Sequence, residues 1–145
     1  MVILNLTRQS IPARNAHYAV RFRDRLRGLI GRRFSASMDG MVLDRCNAIH
    51  TFFMEYPIDV IFADAKYRVL KTVSAFPAWR PFLMCREAFY VIELPSGTLA
   101  VTSTAAGDQL DLSGALSPEI LKQWLRPEIL KIQKSEICSA EAEER

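Results

Sequence analysis

The apolar positions of this chain change period along its length, and each change marks an element. From His17 to Ile30 the sequence reads HYAVRFRDRLRGLI, with Ala19, Phe22, Leu26 and Leu29 at helical spacing. The spacing predicts one substantial helix from about His17 to Leu29, its stripe on the core and its arginines on the other faces. Asp24 sits among those arginines and can pair at i+3 with Arg27. Gly28 and Gly31 end the helix, because glycine adopts the left-handed conformation that closes a last turn. Ahead of it, Val2 to Leu6 is short and apolar and predicts a strand, broken by Ser10, Ile11 and Pro12.

The densest apolar stretch is Cys46 to Asp64, CNAIHTFFMEYPIDVIFAD. In its first half Cys46, Ala48, His50, Phe52 and Met54 share one parity, which as a strand places His50 on a mostly apolar face. Glu55, Tyr56 and Pro57 interrupt it. Ile58 to Ala63 is apolar on both parities apart from Asp59, the pattern of a strand covered on both sides. After a turn at Asp64, Ala65 and Lys66, the segment Tyr67–Phe76 is rich in β-branched residues and predicts the second arm of an antiparallel hairpin. Met41–Leu43, Ala88–Leu94, Thr98–Thr102 and Gln109–Leu112 predict further strands, with an irregular loop around Trp79.

The character changes at Ser113. Ser117 suits a helix N-cap and Pro118 a first helical position, and Ile120, Leu121, Trp124 and Leu125 form an apolar stripe. Two parts are therefore expected: a β domain over 1–112, and a helical extension over 113–145 with a disordered acidic end. The extension would pack on the outside of the domain or on a second copy through Trp124.

Composition alters this picture little. The chain has 145 residues, enough for one real core, and a net charge of +3 that implies neither nucleic acid nor membrane. The charge is unevenly placed, with arginines crowding the first third and Glu141, Glu143 and Glu144 near the end. Three cysteines at wide spacing make a poor disulfide framework and suit free thiols in a reducing compartment. The N-terminal MVILNLTRQS lacks the basic start and apolar core of a signal peptide, and no apolar run approaches the roughly 20 residues of a membrane span. The expectation is a cytoplasmic protein.

Several motifs occur together and in order. Gly28-Leu29-Ile30-Gly31-Arg32 resembles a GL-x-GR signature, and Gly40-Met41 the GM that follows it. Phe53-Met54 and Pro57 to Asp64 resemble an FWM…PLDIIFID block. Glu93-Leu94-Pro95-Ser96-Gly97 and Gly107-Asp108 resemble LELPAG and GD. Together they resemble the family known as domain of unknown function 192, over most of Met1 to Leu112. The resemblance implies a mostly β domain, a small barrel or jelly-roll-like β-sandwich with one helix near the N-terminus, and no assigned activity. This chain departs from the family in having Phe53 where tryptophan is usual, and it is expected to depart from it also in lacking the secretion signal or membrane anchor that many members carry and in its helical extension.

Candidate chemistry is sparse. Cys46 and His50 suggest a metal or a catalytic thiol, but four residues of strand span roughly 13 Å, and zinc ligands lie about 2.0–2.3 Å from the ion. No metal or other cofactor is expected. There is no glycine-rich phosphate loop and no serine in a nucleophile-elbow context. Asp59 and Glu93 are each embedded in an apolar strand, where an unpaired carboxylate is costly. Each is expected either to be held structurally, by an arginine such as Arg32 or by backbone N–H groups, or to converge with His50 in a cleft. The candidate ligand-binding residues are His50, Met54, Asp59 and Glu93. Trp79, Tyr56, Phe82 and Tyr90 suit a core more readily than an aromatic platform. The favoured function is a non-catalytic binding or accessory domain for a small polar ligand, a glycan or a protein partner. The alternatives are a small enzyme using Asp59, Glu93 and His50, and nucleic-acid binding through the segment from Arg21 to Arg33. No recognisable nucleic-acid-binding motif accompanies that segment.

Overall fold

A computed structural model of the chain describes residues 1–113 and Trp124. The predicted C-terminal extension and its acidic end lie outside the described residues, apart from Trp124, which is helical. The remainder is mostly β, and its centre is a five-stranded sheet in the order β3-β4-β9-β6-β7. These strands are β3 (Ala16–Ala19), β4 (Gly40–Asp44), β6 (Ile58–Ala63), β7 (Val69–Phe76) and β9 (Tyr90–Pro95). A three-stranded sheet joins β1 (Ile3–Asn5), β2 (Ser10–Ala13) and β10 (Leu110–Asp111), and a two-stranded one joins β5 (Ala48–Ile49) and β8 (Leu83–Met84). The expected barrel is not formed: among the described residues no sheet closes on itself.

The central strands are buried on both faces, as their double-parity apolar pattern predicts. All six residues of β6 are buried. Ile61, Ala63, Ile92, Leu94 and Val42 pack on one face against Ile3, Leu99, Leu110 and Leu112. Val60, Phe62, Val91, Met41 and Leu43 pack on the other against Leu29, Ile49 and Met54. The predicted hairpin is present, with β6 and β7 antiparallel and Val60 opposite Val73. Gly40 lets β4 approach its neighbours, since a Cβ there would lie 3.1 Å from the Ala13 Cβ and 3.2 Å from Leu94.

Four expectations need correction. The helix α1 runs only over Phe22–Arg27, because Ala16–Ala19 instead pair in parallel with Gly40–Leu43 and α1 lies in the crossover between those strands. None of its residues is buried, and Phe22 and Leu26 of the predicted core stripe are exposed. Ser10–Ala13 do not merely break a strand but form β2, an edge strand where Pro12 needs no ladder partner. The long strand through Cys46 to Met54 shrinks to Ala48–Ile49. Beyond it the buried Thr51 holds two turns together. Its hydroxyl donates to the Pro77 carbonyl at 2.6 Å and accepts from the Arg80 N–H at 2.9 Å, and its carbonyl accepts from the Trp79 N–H at 2.8 Å.

The fourth correction is Thr98–Thr102, which is a short helix, α2, and not a strand. Its N-cap is Gly97, which has no side chain to cap it. Asp59 supplies the missing acceptor from β6: its Oδ2 accepts the Leu99 N–H at 2.8 Å. Its Oδ1 accepts the Ala75 N–H at 2.8 Å. Ala75 lies in a bulge of β7, where the register against β6 slips, and has φ +48°. One fully buried carboxylate thus satisfies two backbone donors that neither a helix nor a ladder satisfies. We expect Asp59→Asn to lower the denaturant midpoint at neutral pH by about 1–3 kcal/mol equivalent, because one buried N–H then faces an amide donor. An unchanged midpoint would refute this structural role.

Candidate functional site

Strand register decides which candidate residues meet. In the β6–β9 pair Asp59 lies opposite Leu94 and Val60 opposite Glu93. Directly opposed residues share a face and neighbours alternate, so Asp59 and Glu93 point to opposite sides of the sheet. Asp59 does not converge with Glu93, and its carboxylate is held by backbone N–H groups rather than by an arginine. Met54 is a core residue, 4% exposed, that also lines a second cleft of about 240 Å³ with Arg32 and Tyr56. His50 and Glu93 do share a cleft. It has a volume of about 260 Å³ and is walled by Phe22, Arg25 and Leu26 from α1, by Leu43, and by the segment Arg45 to His50.

Glu93 is the unusual member of this cleft. It projects from the middle of β9 among Met41 and Val60 and is 3% exposed. Its Oε2 is buried with no hydrogen-bond partner among the described residues. Gly28 closes over the carboxyl: a Cβ there would lie 3.6 Å from Oε2 and 3.8 Å from Oε1. Gly28 has φ +48°, where a side chain is strained, so glycine is required both by conformation and by the close approach. Burial without a counter-charge pushes the Glu93 pKa up from 4.5 to about 8. At neutral pH the group is mainly a neutral carboxylic acid, which donates one hydrogen bond and accepts others.

The other lining residues are better satisfied. His50 accepts the Phe52 N–H at 3.3 Å through Nδ1. The Cys46 thiol donates to the Ala48 carbonyl at 3.1 Å. Burial, reinforced by Glu93, pushes its pKa up, so the thiol stays protonated and is a poor nucleophile. Arg25 uses one N–H on the Val20 carbonyl at 3.1 Å and lies over the Phe22 ring. Arg45 lies 3.5 Å from the Asp44 carboxylate. Among the described residues no three His, Cys, Asp or Glu side chains are grouped to hold a metal.

The aromatic residues do not form one platform. Tyr90 is buried against Tyr67 and Phe89, and Tyr56 donates to the Arg32 carbonyl at 2.6 Å. Trp79 is exposed in an edge-on pair with Phe53. Sequence reasoning did not place Arg25 or Phe22 in a cleft, and it weighed Cys46 with His50 only as a metal or thiol pair. The unsatisfied helix stripe at Phe22 and Leu26 was the available signal, but it reads as core until the partner strands are placed.

Comparison with known proteins places this arrangement in a family. Residues 3–112 match the family of domain of unknown function 192, described as an uncharacterized ACR, and the chain belongs to it. A UPF0127 protein of Thermococcus sibiricus is 41% identical over 68 residues, covering 46% of this chain and 44% of that protein. A UPF0127 protein of Pyrococcus horikoshii is 40% identical over 67 residues, covering 46% of this chain and 57% of the relative. The match thus spans about half the length of these curated relatives. Among solved structures, a protein of unknown function from Novosphingobium aromaticivorans shares the fold with a TM-score of 0.65 at 17% identity, over 76% of this chain and 81% of that one. A proposed transcription regulator from Sinorhizobium meliloti has a TM-score of 0.62 at 25% identity, over 69% of this chain and 82% of that one. No helix of the described residues is long and apolar enough to cross a membrane.

The Glu93 environment has a thermodynamic signature. With its folded pKa raised to about 8, Glu93 holds a proton in the folded state that the unfolded chain has already released above 4.5. The folded state then binds more protons between those values, so this contribution to stability is full below 4.5 and is lost as pH rises towards 8. We expect Glu93→Gln to be more stable than the parent at about pH 8 and to lose the decline between about pH 5 and 8. Urea midpoints across that range check it, and parallel curves would show that Glu93 is not held neutral.

Proposed function

We propose that this protein is a binding module whose small polar ligand occupies the cleft between α1 and the segment Arg45 to His50. The observation that carries this reading is the Glu93 Oε2, buried on the cleft wall without a partner. A buried polar atom left unpaired costs free energy, and a ligand that pairs with it recovers that cost on binding. A cleft of about 260 Å³ suits a ligand of up to about ten heavy atoms rather than a polymer segment. The glycan and protein-partner forms of the expectation find less support, since the exposed Trp79 and Phe53 stand edge-on rather than as a flat stacking surface.

A catalytic reading rests on the same Glu93, whose pKa near 8 lies in the range of a general acid, with His50 on the same cleft. It is second because the Cys46 thiol is held protonated and Asp59 faces the other side of the sheet. Nucleic-acid binding has less support still. The helix α1 has six residues, and Arg25 and Arg27 direct guanidinium N–H groups to the Val20 and Ile30 carbonyls.

The test is a thermal-shift screen of small polar metabolites against the parent and Glu93→Leu. The reading expects compounds that raise the parent's melting temperature and lose that effect in the variant, with no product formed on incubation. Equal shifts in both proteins would move the ligand elsewhere, and turnover of a bound compound would favour the enzyme.

A further inference from the structure

The cleft makes three demands on its occupant, and together they specify a chemical class. The first is apolar. Phe22 and Leu26 stand four residues apart on α1, on one helix face, and both are large and exposed, at 66% and 57%. They line the cleft with Leu43 and Ile49, so an apolar body placed there covers a stripe that the fold leaves uncovered. The second demand is anionic. Arg45 is partly matched by Asp44, but among the described residues Arg25 has only a backbone carbonyl as acceptor and keeps further N–H groups for a ligand. The third is a hydrogen-bond acceptor for Glu93, which as a neutral carboxylic acid donates. Glu93 and Arg25 are both on the wall of this one cleft.

We infer that the ligand is a small organic carboxylate with a compact apolar body, its carboxylate bound by Arg25 and Glu93 and its body against Phe22 and Leu26. This rests on the reading of the cleft as a binding site. A cationic ligand is disfavoured by the two arginines on the wall. A neutral ligand leaves Arg25 without a counter-charge.

Proton linkage makes the inference specific. A carboxylate accepts a hydrogen bond from protonated Glu93 and is repelled by the ionised form. Among the described residues, the charged and titratable groups around Glu93 are Arg25 on α1, Arg45, Cys46 and His50 in the following segment, and Tyr56; β4 and β6 present Met41 and Val60. Burial raises both Cys46 and Tyr56. Affinity for a carboxylate therefore falls as pH rises through about 8.

The experiment is calorimetry of the full chain with isovalerate and benzoate, and with the neutral isovaleramide and benzamide. Both acids are expected to bind, and both amides to bind at least about tenfold more weakly. Arg25→Gln should weaken the acids by about tenfold or more. Glu93→Leu removes the donor and should do the same, whereas Glu93→Gln keeps a neutral donor and should hold affinity within about threefold. Between about pH 7 and 9 the parent should lose about tenfold in affinity and Glu93→Gln should lose none, which assigns the change to Glu93 rather than to His50 or Cys46. Equal binding of acids and amides at a site lost in Glu93→Leu would overturn the carboxylate while leaving the binding cleft in place. Affinity of the acids that rises with pH would also overturn it. Acids that bind unaffected by either the Arg25 or the Glu93 change would place them outside the cleft and overturn both readings.

Discussion

A sheet buried on both faces leaves no polar atom on its central strands within reach of water, so each must find a partner or raise the free energy of the fold. This chain places two carboxylates on such strands. Asp59 is resolved completely: the bulge in β7 and the start of α2 each turn a backbone N–H towards it. Glu93, one strand away and on the other face, is left open, and its proton takes the place of a partner. The two acids are alike in their local sequence and opposite in their chemistry, because one faces a layer rich in unpaired backbone donors and the other a cleft.

Single polar side chains hold the rest of the loops. Asn5 donates to Thr104 at 3.1 Å and to Asp108 at 2.9 Å, which fixes the first strand to the turn before the last. Burial by itself raises Asp108. Hydrogen bonds from Asn5, the Ala105 N–H and Arg8 outweigh it and hold the carboxyl below its ordinary value. Its contribution to stability is therefore present above the ordinary carboxylate range and is lost as pH falls through its lowered pKa. Thr51 does for the turns at Phe53 and Trp79 what Asp59 does for α2. Both aromatic residues adopt positive φ, a conformation that costs about 1 kcal/mol or more in a residue with a side chain. Thr51 bonds to the backbone beside each of them.

What could be read from the sequence follows the range of the forces involved. The pairing of Ile58–Ala63 with the strand after it was legible because double-parity burial and a short turn are local signals. The shortening of α1 was not, because it depends on a parallel pairing with a strand more than twenty residues on. Thr98–Thr102 carries β-branched residues and reads as strand, yet its helix is capped by an acid forty residues earlier. The same limit governs the site. That Asp59 and Glu93 were exceptional was legible in each strand separately. Which face each would take depended on the register between β6 and β9, a quantity that no single strand encodes.

The bulge in β7 has a further bearing, on how this molecule behaves at high concentration. In the five-stranded sheet β7 is an edge, and at eight residues it is the longest strand described. A long regular edge is a template on which a second chain adds its own strand. Here the register slips twice along β7, Ala75 turns its N–H inward to Asp59, and Lys71 sits between the two slips. The regular row of backbone groups along β7 is thereby interrupted. Bulges are one of the devices by which edge strands resist adding a second chain, and here the acid that anchors the fold also holds such a bulge in place.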